Sequence, residues 1–249
     1  MGKKQTSSKL NFADLAEVWS DYSAGCYWFP LLKCFKKNWE TIESMLLPSP
    51  RGKILDGGCG TGGMFKAVLK QIKPSKIVAV DWSEKMLNKA KKVGTKLDSP
   101  SKQIFEFRKV DLTKPFPWKD NTFDAALFNL VLNYLPSEGR SHAVHEAFRT
   151  IKPGGYFYTS VQLEGWDLPE MIKKEIPREL IHNPIACLLS SRVKKSARKI
   201  QEYADKGIIK FPTKKEFINL PKSSGFKDIK QKGIFWDTGM MIRARKASS

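Results

Sequence analysis

The residues best placed to do chemistry are Asp56, Asp81 and Asp111. Asp56 leads a turn, Asp56-Gly57-Gly58-Cys59-Gly60-Thr61-Gly62-Gly63, with five glycines in seven positions. Glycine reaches backbone angles closed to other residues and lets a ligand come against the main chain. The amphipathic segment that follows, Met64 to Leu69, would aim free N–H groups into the turn. A carboxylate at the head of such a loop disfavours a pyrophosphate and favours a ligand with a cationic amino group. Asp81 lies 19 residues beyond Gly62, where a nucleotide-binding α/β domain keeps the acid that accepts bonds from ribose hydroxyls. Asp111-Leu112 closes the next apolar segment. Each acid also has a structural alternative, since Asp56 and Asp111 could close turns and Asp81 could cap a helix.

These acids need strands to hold them in line. Lys53-Ile54-Leu55 runs into Asp56, Lys76-Ile77-Val78-Ala79-Val80 into Asp81, and residues 104–110 alternate before Asp111. Phe123 to Asn129 and Tyr156 to Val161 read as two further buried strands. Helical segments are expected between them: Met64 to about Ile72, Glu84 to about Val93 with Ser83 as N-cap and Gly94 as stop, and one from Ser137 whose apolar side carries Ala143, Val144, Ala147, Phe148 and Ile151. Lys152-Pro153-Gly154-Gly155 is expected to stop that helix. Regular strand–helix alternation predicts an α/β fold, a parallel sheet with helices on both faces. A helix over 213–224 and an antiparallel pair, 226–236 and 238–246, close the chain. Upstream, residues 12–47 space Trp, Tyr, Phe and Leu by three and four, which predicts two or three helices, one beginning at Pro30. They are read as an aromatic lid.

The ordered motifs resemble those of class I S-adenosylmethionine-dependent methyltransferases, in their small-molecule and lipid-acting, methyltransferase-11/25-like branch. Ile54 to Gly62 resembles the family's first motif, Asp81 its ribose acid, Asp111-Leu112 the end of its third strand, and Phe123 to Asn129 its fourth-strand motif. Lys152 to Gly155 resembles the turn before strand five. The resemblance implies a Rossmann-like, mostly parallel seven-stranded sheet in the order 3-2-1-4-5-7-6 with strand 7 antiparallel. It implies S-adenosyl-L-methionine as cofactor, held by Asp56, Gly57, Gly58, Gly60, Gly62, Asp81, Trp82, Asp111, Leu112 and Asn129. Trp82 would pack on the adenine, Asp111 would meet its amino group, and Asn129 would face the methionyl part. Trp19-Ser20-Asp21-Tyr22 resembles the aromatic motif that closes over the cofactor, which gives Tyr22 a binding role. The residual cofactor alternative is NAD, which the Asp56-led loop disfavours. The expected divisions are a tail and helical lid at 1–47, a cofactor-binding core at 48–164, a basic helical cap at 165–207 and a C-terminal completion of the sheet at 208–249.

Methyl transfer needs a base only if the acceptor must lose a proton. Tyr22, His142 and His145 are the candidates, with Asp21 and Tyr134 beside them; histidines spaced three apart are more often surface residues than a pair. Cys26, Cys34, Cys59 and Cys187 form no Cys-x-x-Cys motif, which argues against structural metal and disulfides and for a reducing, cytoplasmic setting. No apolar run approaches a membrane span. Met1-Gly2 opens an N-myristoylation pattern, read here as a basic tail.

The net charge of +19 points to an anionic partner. Residues 173–232 hold 16 Lys+Arg against 6 Asp+Glu, interleaved with apolar residues. Basic plus apolar suits a small-molecule or amphiphilic, lipid-like acceptor and a peripheral contact with an anionic membrane. RNA is the alternative acceptor, disfavoured because Asn129-Leu130-Val131-Leu132 stands where a base-amine motif would be. Protein methylation is a third reading that nothing selects.

Overall fold

The structure is a computed structural model that describes residues 33–48, 52–98, 103–167, 170, 198, 200–207, 209–235 and 237–248. Tyr22, Asp21, most of the expected lid and residues 171–197 of the expected cap lie outside the described residues.

The elements run α1 (Lys33–Met45), β1 (Lys53–Gly57), α2 (Phe65–Gln71), β2 (Lys76–Asp81), α3 (Glu84–Leu97), β3 (Phe105–Lys109), β4 (Phe123–Asn129), α4 (Ser137–Thr150), β5 (Ile151–Gln162), α5 (Lys214–Ser223), β6 (Lys227–Ile234) and β7 (Gly239–Arg245). They form one seven-stranded sheet in the order β3-β2-β1-β4-β5-β7-β6. β1 to β5 are mutually parallel, and β7 lies antiparallel between β5 and β6. The expected α/β fold and strand order are borne out.

β1, β2 and β4 are near-continuous apolar runs because both their faces are covered. Ile54, Ile77, Ala79, Ala125, Leu127 and Tyr158 join one core with Ile42 and Met45 of α1, Phe65 and Val68 of α2 and Leu87 of α3. Leu55, Val78, Val80, Ala126, Phe128 and Phe157 join the other with Val144 and Ala147 of α4 and Phe217 of α5. The first face also carries Trp166, Ile200, Ile209 and Phe211. Buried Arg140 ties this segment down, donating through Nε to the Leu135 carbonyl at 3.0 Å and through Nη2 to the Lys210 carbonyl. α1 is fastened to the same face, where Leu47 N–H donates to the Tyr158 hydroxyl (3.2 Å) and Arg243 to the Met45 carbonyl (3.2 Å).

Two local expectations are corrected. α3 does not stop at Gly94 but continues to Leu97, with Ser83 capping it as expected. Gly94 is there for packing: a Cβ would lie 2.7 Å from the Phe107 ring, so the glycine lets α3 press onto β3. β5 begins at Ile151, not Tyr156. Ile151 pairs with Phe123 and Tyr156 with Ala125, so residues 152–155 form an irregularity within the strand and not a loop before it. Ile151 is thus the first strand residue instead of the last on the helix face.

Candidate active site

The sheet register brings the sequence-predicted acids to one edge. Gly57 pairs with Val80, so the β1 loop and Asp81 leave the sheet side by side. Cys59 N–H donates to the Val80 carbonyl at 2.9 Å. Asp81 then staples the loop: Oδ2 accepts from Gly60 N–H at 2.9 Å and Oδ1 from Ser83 N–H at 2.8 Å. Gly58 and Gly60 have φ of +69° and +55°, angles that strain any residue with a Cβ. Their surroundings differ. A Cβ on Gly58 would strike Val131 at 2.3 Å, whereas one on Gly60 would meet nothing within 4 Å. Gly57 and Gly62 press on the Phe128 and Phe65 rings. Gly58 and Gly57 thus serve close packing, and Gly60 leaves an open cradle.

Asp56 is 2 % exposed, and its Oδ2 has no hydrogen-bond partner. Burial, and then the charge of Asp81, push its carboxyl up to about 7. Asp81 is also raised by burial, opposed by the two N–H bonds that favour its charged form. Two carboxyls this strained in the free protein create a demand for a cation or for hydroxyl donors. Cys59, between them, is buried, and its thiol is pushed up by burial and by both acids; it is a packing residue and no nucleophile.

The other predicted positions divide. Trp82 is 45 % exposed at the mouth, with Lys109 Nζ 5.6 Å from its ring centre. Asp111 is half-buried, and its Oδ1 closes a local turn by accepting from Thr113 N–H (2.9 Å) and Oγ1 (2.7 Å), while Leu112 is buried in the core below. Asn129 Oδ1 accepts from Ser160 Oγ at 2.6 Å, and Ser160 also accepts from Leu130 N–H, whose φ is +55°. Tyr134 is half-buried on the first face, at the end of a 3-10 turn, Leu132–Tyr134. His142 and His145 are not brought to this edge as a pair. His145 is exposed; His142 is half-buried on α4, one turn from Glu146, whose carboxyl its charge helps to lower. Sequence reasoning missed Ser160, Asn133 and Gln162. The signal was the polar alternation Tyr156, Tyr158, Ser160, Gln162 along one face of β5.

A doubly wound sheet with the sequence-predicted acids Asp56 and Asp81 at the carboxyl ends of its central strands defines the class: a Rossmann-like fold with an acid, not a phosphate cradle, at its first loop. Residues 55–159 match the family described as a methyltransferase domain. The chain is 27% identical over 202 residues to the ubiquinone/menaquinone biosynthesis C-methyltransferase of Rickettsia prowazekii, covering 79% of this chain and 77% of that one. It is 25% identical over 225 residues to a mitochondrial 2-methoxy-6-polyprenyl-1,4-benzoquinol methylase of Dictyostelium discoideum, covering 78% and 68%. A solved S-adenosylmethionine-dependent methyltransferase of Thermotoga maritima superposes with a TM-score of 0.60 at 20% identity, covering 93% of this chain and 99% of that one. The matched domain, the methyltransferase relatives and the shared fold together support a class I S-adenosylmethionine-dependent methyltransferase. The residues present fit that cofactor, since the buried Asp56 oxygen lacks a donor and the Gly60 cradle is open. Among the described residues, no helix is long and apolar enough to cross a membrane.

Proposed function

We propose that the enzyme methylates a ring carbon of a quinol-type small molecule. The observation that carries this reading is the reach of the similarity. Alignment to the Rickettsia quinone-biosynthesis enzyme spans 202 residues, well past the 55–159 methyltransferase segment and so into the parts outside the cofactor core.

S-adenosylmethionine supplies a methyl group on a sulfonium, a good leaving group, so the protein's task is positioning and water exclusion. Ionised Asp56 would take the cofactor's ammonium, and Gly58 to Gly62 would let the methionyl arm lie against the main chain. Asp81 would receive the ribose hydroxyls, Trp82 and Asp111-Leu112 would hold the adenine, and Asn129, bonded by Ser160, would face the methionyl part. The acceptor ring would form the new carbon–methyl bond as the sulfur–methyl bond breaks, leaving the neutral thioether S-adenosylhomocysteine, and would regain aromaticity by releasing its ring proton to solvent water. Tyr22, which lies outside the described residues, keeps only the binding role that its motif implies, and His142 and His145 are assigned no part in the transfer.

Lys85, Lys89, Lys92 and Lys96 recur along one face of α3 at helical spacing, with Lys85, Lys92 and Lys96 exposed. This basic stripe supports a peripheral contact with an anionic membrane, where a prenylated acceptor would be found. The test is a competition: purified protein and methyl-labelled cofactor are offered prenylated benzoquinol and naphthoquinol, total RNA and protein substrate. Label is expected in a quinol; label confined to RNA or protein overturns the reading.

A further inference from the structure

Outside the cofactor loop, two buried carboxamides stand unsatisfied at the same place. Asn133 is 1 % exposed and Gln162 is 2 % exposed. Asn133 Nδ2 donates to the Gln162 main-chain carbonyl at 2.9 Å. That bond fixes the orientation of the Asn133 amide, so its Oδ1 is an acceptor, and this oxygen has no donor. Gln162 Oε1 also has no donor. A buried acceptor without a donor costs on the order of 1–3 kcal/mol, so two in contact mark a place where donors arrive from outside the fold.

The register says where that place is. Asp56 pairs with Leu127, and Leu127 with Tyr158, so Gln162 stands two strands from Asp56 and four residues beyond its row. That is about 10 Å across and about 13 Å along the strands. Gln162 shares the Tyr158–Ser160 face of β5, one residue pair past the Asn129–Ser160 bond. The carboxamides therefore lie beyond the Asn129–Ser160 pair on the side away from Asp81, which the reading above puts past the methionyl end of the cofactor.

We infer that Asn133 and Gln162 are acceptor-specificity residues, whose side-chain oxygens receive the ring hydroxyl protons of a phenol- or quinol-class acceptor. This inference rests on the quinol reading above and narrows it. Neutral carboxamide oxygens accept from a hydroxyl without taking its proton. They select the reduced, hydroxylated ring over the oxidised quinone, which has only acceptors to offer and would face them oxygen to oxygen. The same bonds push electron density into the ring and raise the nucleophilicity of its carbons. Selection of this kind, in which buried polar groups are left unpaired by the wrong partner, is strong.

The test uses Asn133→Leu and Gln162→Met, near-isosteric changes that remove the acceptor oxygens, with the demethylated cofactor product bound. Binding of a small hydroquinone and of its dimethyl ether is measured by calorimetry, beside kcat/KM for a prenylated quinol. Wild type is expected to prefer the hydroquinone at least 10-fold, and each variant to bring that ratio toward one with cofactor affinity unchanged. If wild type methylates quinols but the hydroxyl-to-ether ratio is the same in the variants, the carboxamides hold only buried water and the inference fails while the quinol reading stands. If wild type methylates no quinol yet binds hydroxylated rings through Asn133 and Gln162, the inference stands and the quinol reading fails. If hydroxylated rings do not bind, both fail.

Discussion

Replacing Asp56 by Asn should stabilise the free enzyme in a pH-dependent way. In the native state the Asp56 carboxyl is pushed from 3.8 to about 7, chiefly by burial. A raised acid binds its proton more tightly folded than unfolded, so its contribution is fully present below about pH 4 and is lost as pH rises through about 7. The span of about 3 pH units corresponds to about 4 kcal/mol at 1.36 kcal/mol per unit. Asn is nearly isosteric and cannot ionise. The Asp56→Asn protein should therefore gain about 4 kcal/mol on wild type between pH 4 and pH 8, whatever constant offset its amide introduces. For a chain of this size that is on the order of 8–10 °C in Tm. Urea unfolding of both proteins at half-unit pH intervals, without cofactor, measures the difference. Parallel stability–pH curves would refute the buried-charge argument. If the cofactor's ammonium neutralises the same charge, as proposed, wild-type cofactor affinity should rise about tenfold per pH unit from 5 toward 7 and then level. Asp56→Asn should abolish that slope.

Further outcomes follow from the same geometry. Asp81→Asn loses one of the two N–H acceptances that staple Gly60 and Ser83, and should weaken cofactor binding by more than about 100-fold in calorimetry; an unchanged Kd would remove Asp81 from the site. Gly60→Ala should fold with a Tm loss equivalent to about 1–2 kcal/mol, from its left-handed backbone, yet bind cofactor poorly because the new methyl fills the cradle. Gly58→Ala should be the less stable of the two, since its Cβ strikes Val131; equal Tm values would contradict this. Lys246 Nζ reaches the Phe148 and Ile151 carbonyls at 2.8 and 2.7 Å and Asn121 Oδ1 at 2.9 Å, closing the C-terminus of α4. Lys246→Met should lower stability by about 1–3 kcal/mol by scanning calorimetry, without altering cofactor affinity. Charge reversal at Lys85, Lys92 and Lys96 should release the enzyme from anionic phospholipid vesicles in a flotation assay while leaving turnover of a soluble short-chain quinol intact.

The fold was legible where burial is symmetric. β1, β2 and β4 read as near-continuous apolar runs because helices cover both their faces, and Asp56, Asp81 and Asn129 end those runs sharply. The errors came where one local signal serves two structural ends. Gly94 looks like a helix stop, but its missing side chain admits the Phe107 ring. Pro153-Gly154-Gly155 looks like a turn, but long-range pairing of Ile151 with Phe123 carries the strand through it. That Asp56, the glycine loop and Asp81 meet at one edge was legible because strand, loop and helix are contiguous there. Asn133, Ser160 and Gln162 were not visible, because they meet only through the β4–β5 register and the turn after β4. His142 and His145, whose spacing is more often that of surface residues than of a pair, are split by α4, which exposes His145 and leaves His142 half-buried one turn from Glu146.

The central claim is transfer of a methyl group to a quinol carbon. The most direct measurement gives the enzyme isotopically labelled S-adenosylmethionine and a short-chain 2-methoxy-6-prenyl-1,4-benzoquinol, and locates the label in the product by carbon NMR. The account predicts label on a ring carbon, absent with Asp81→Asn. Label on a quinol oxygen, or no labelled quinol while another substrate class is methylated, would contradict it.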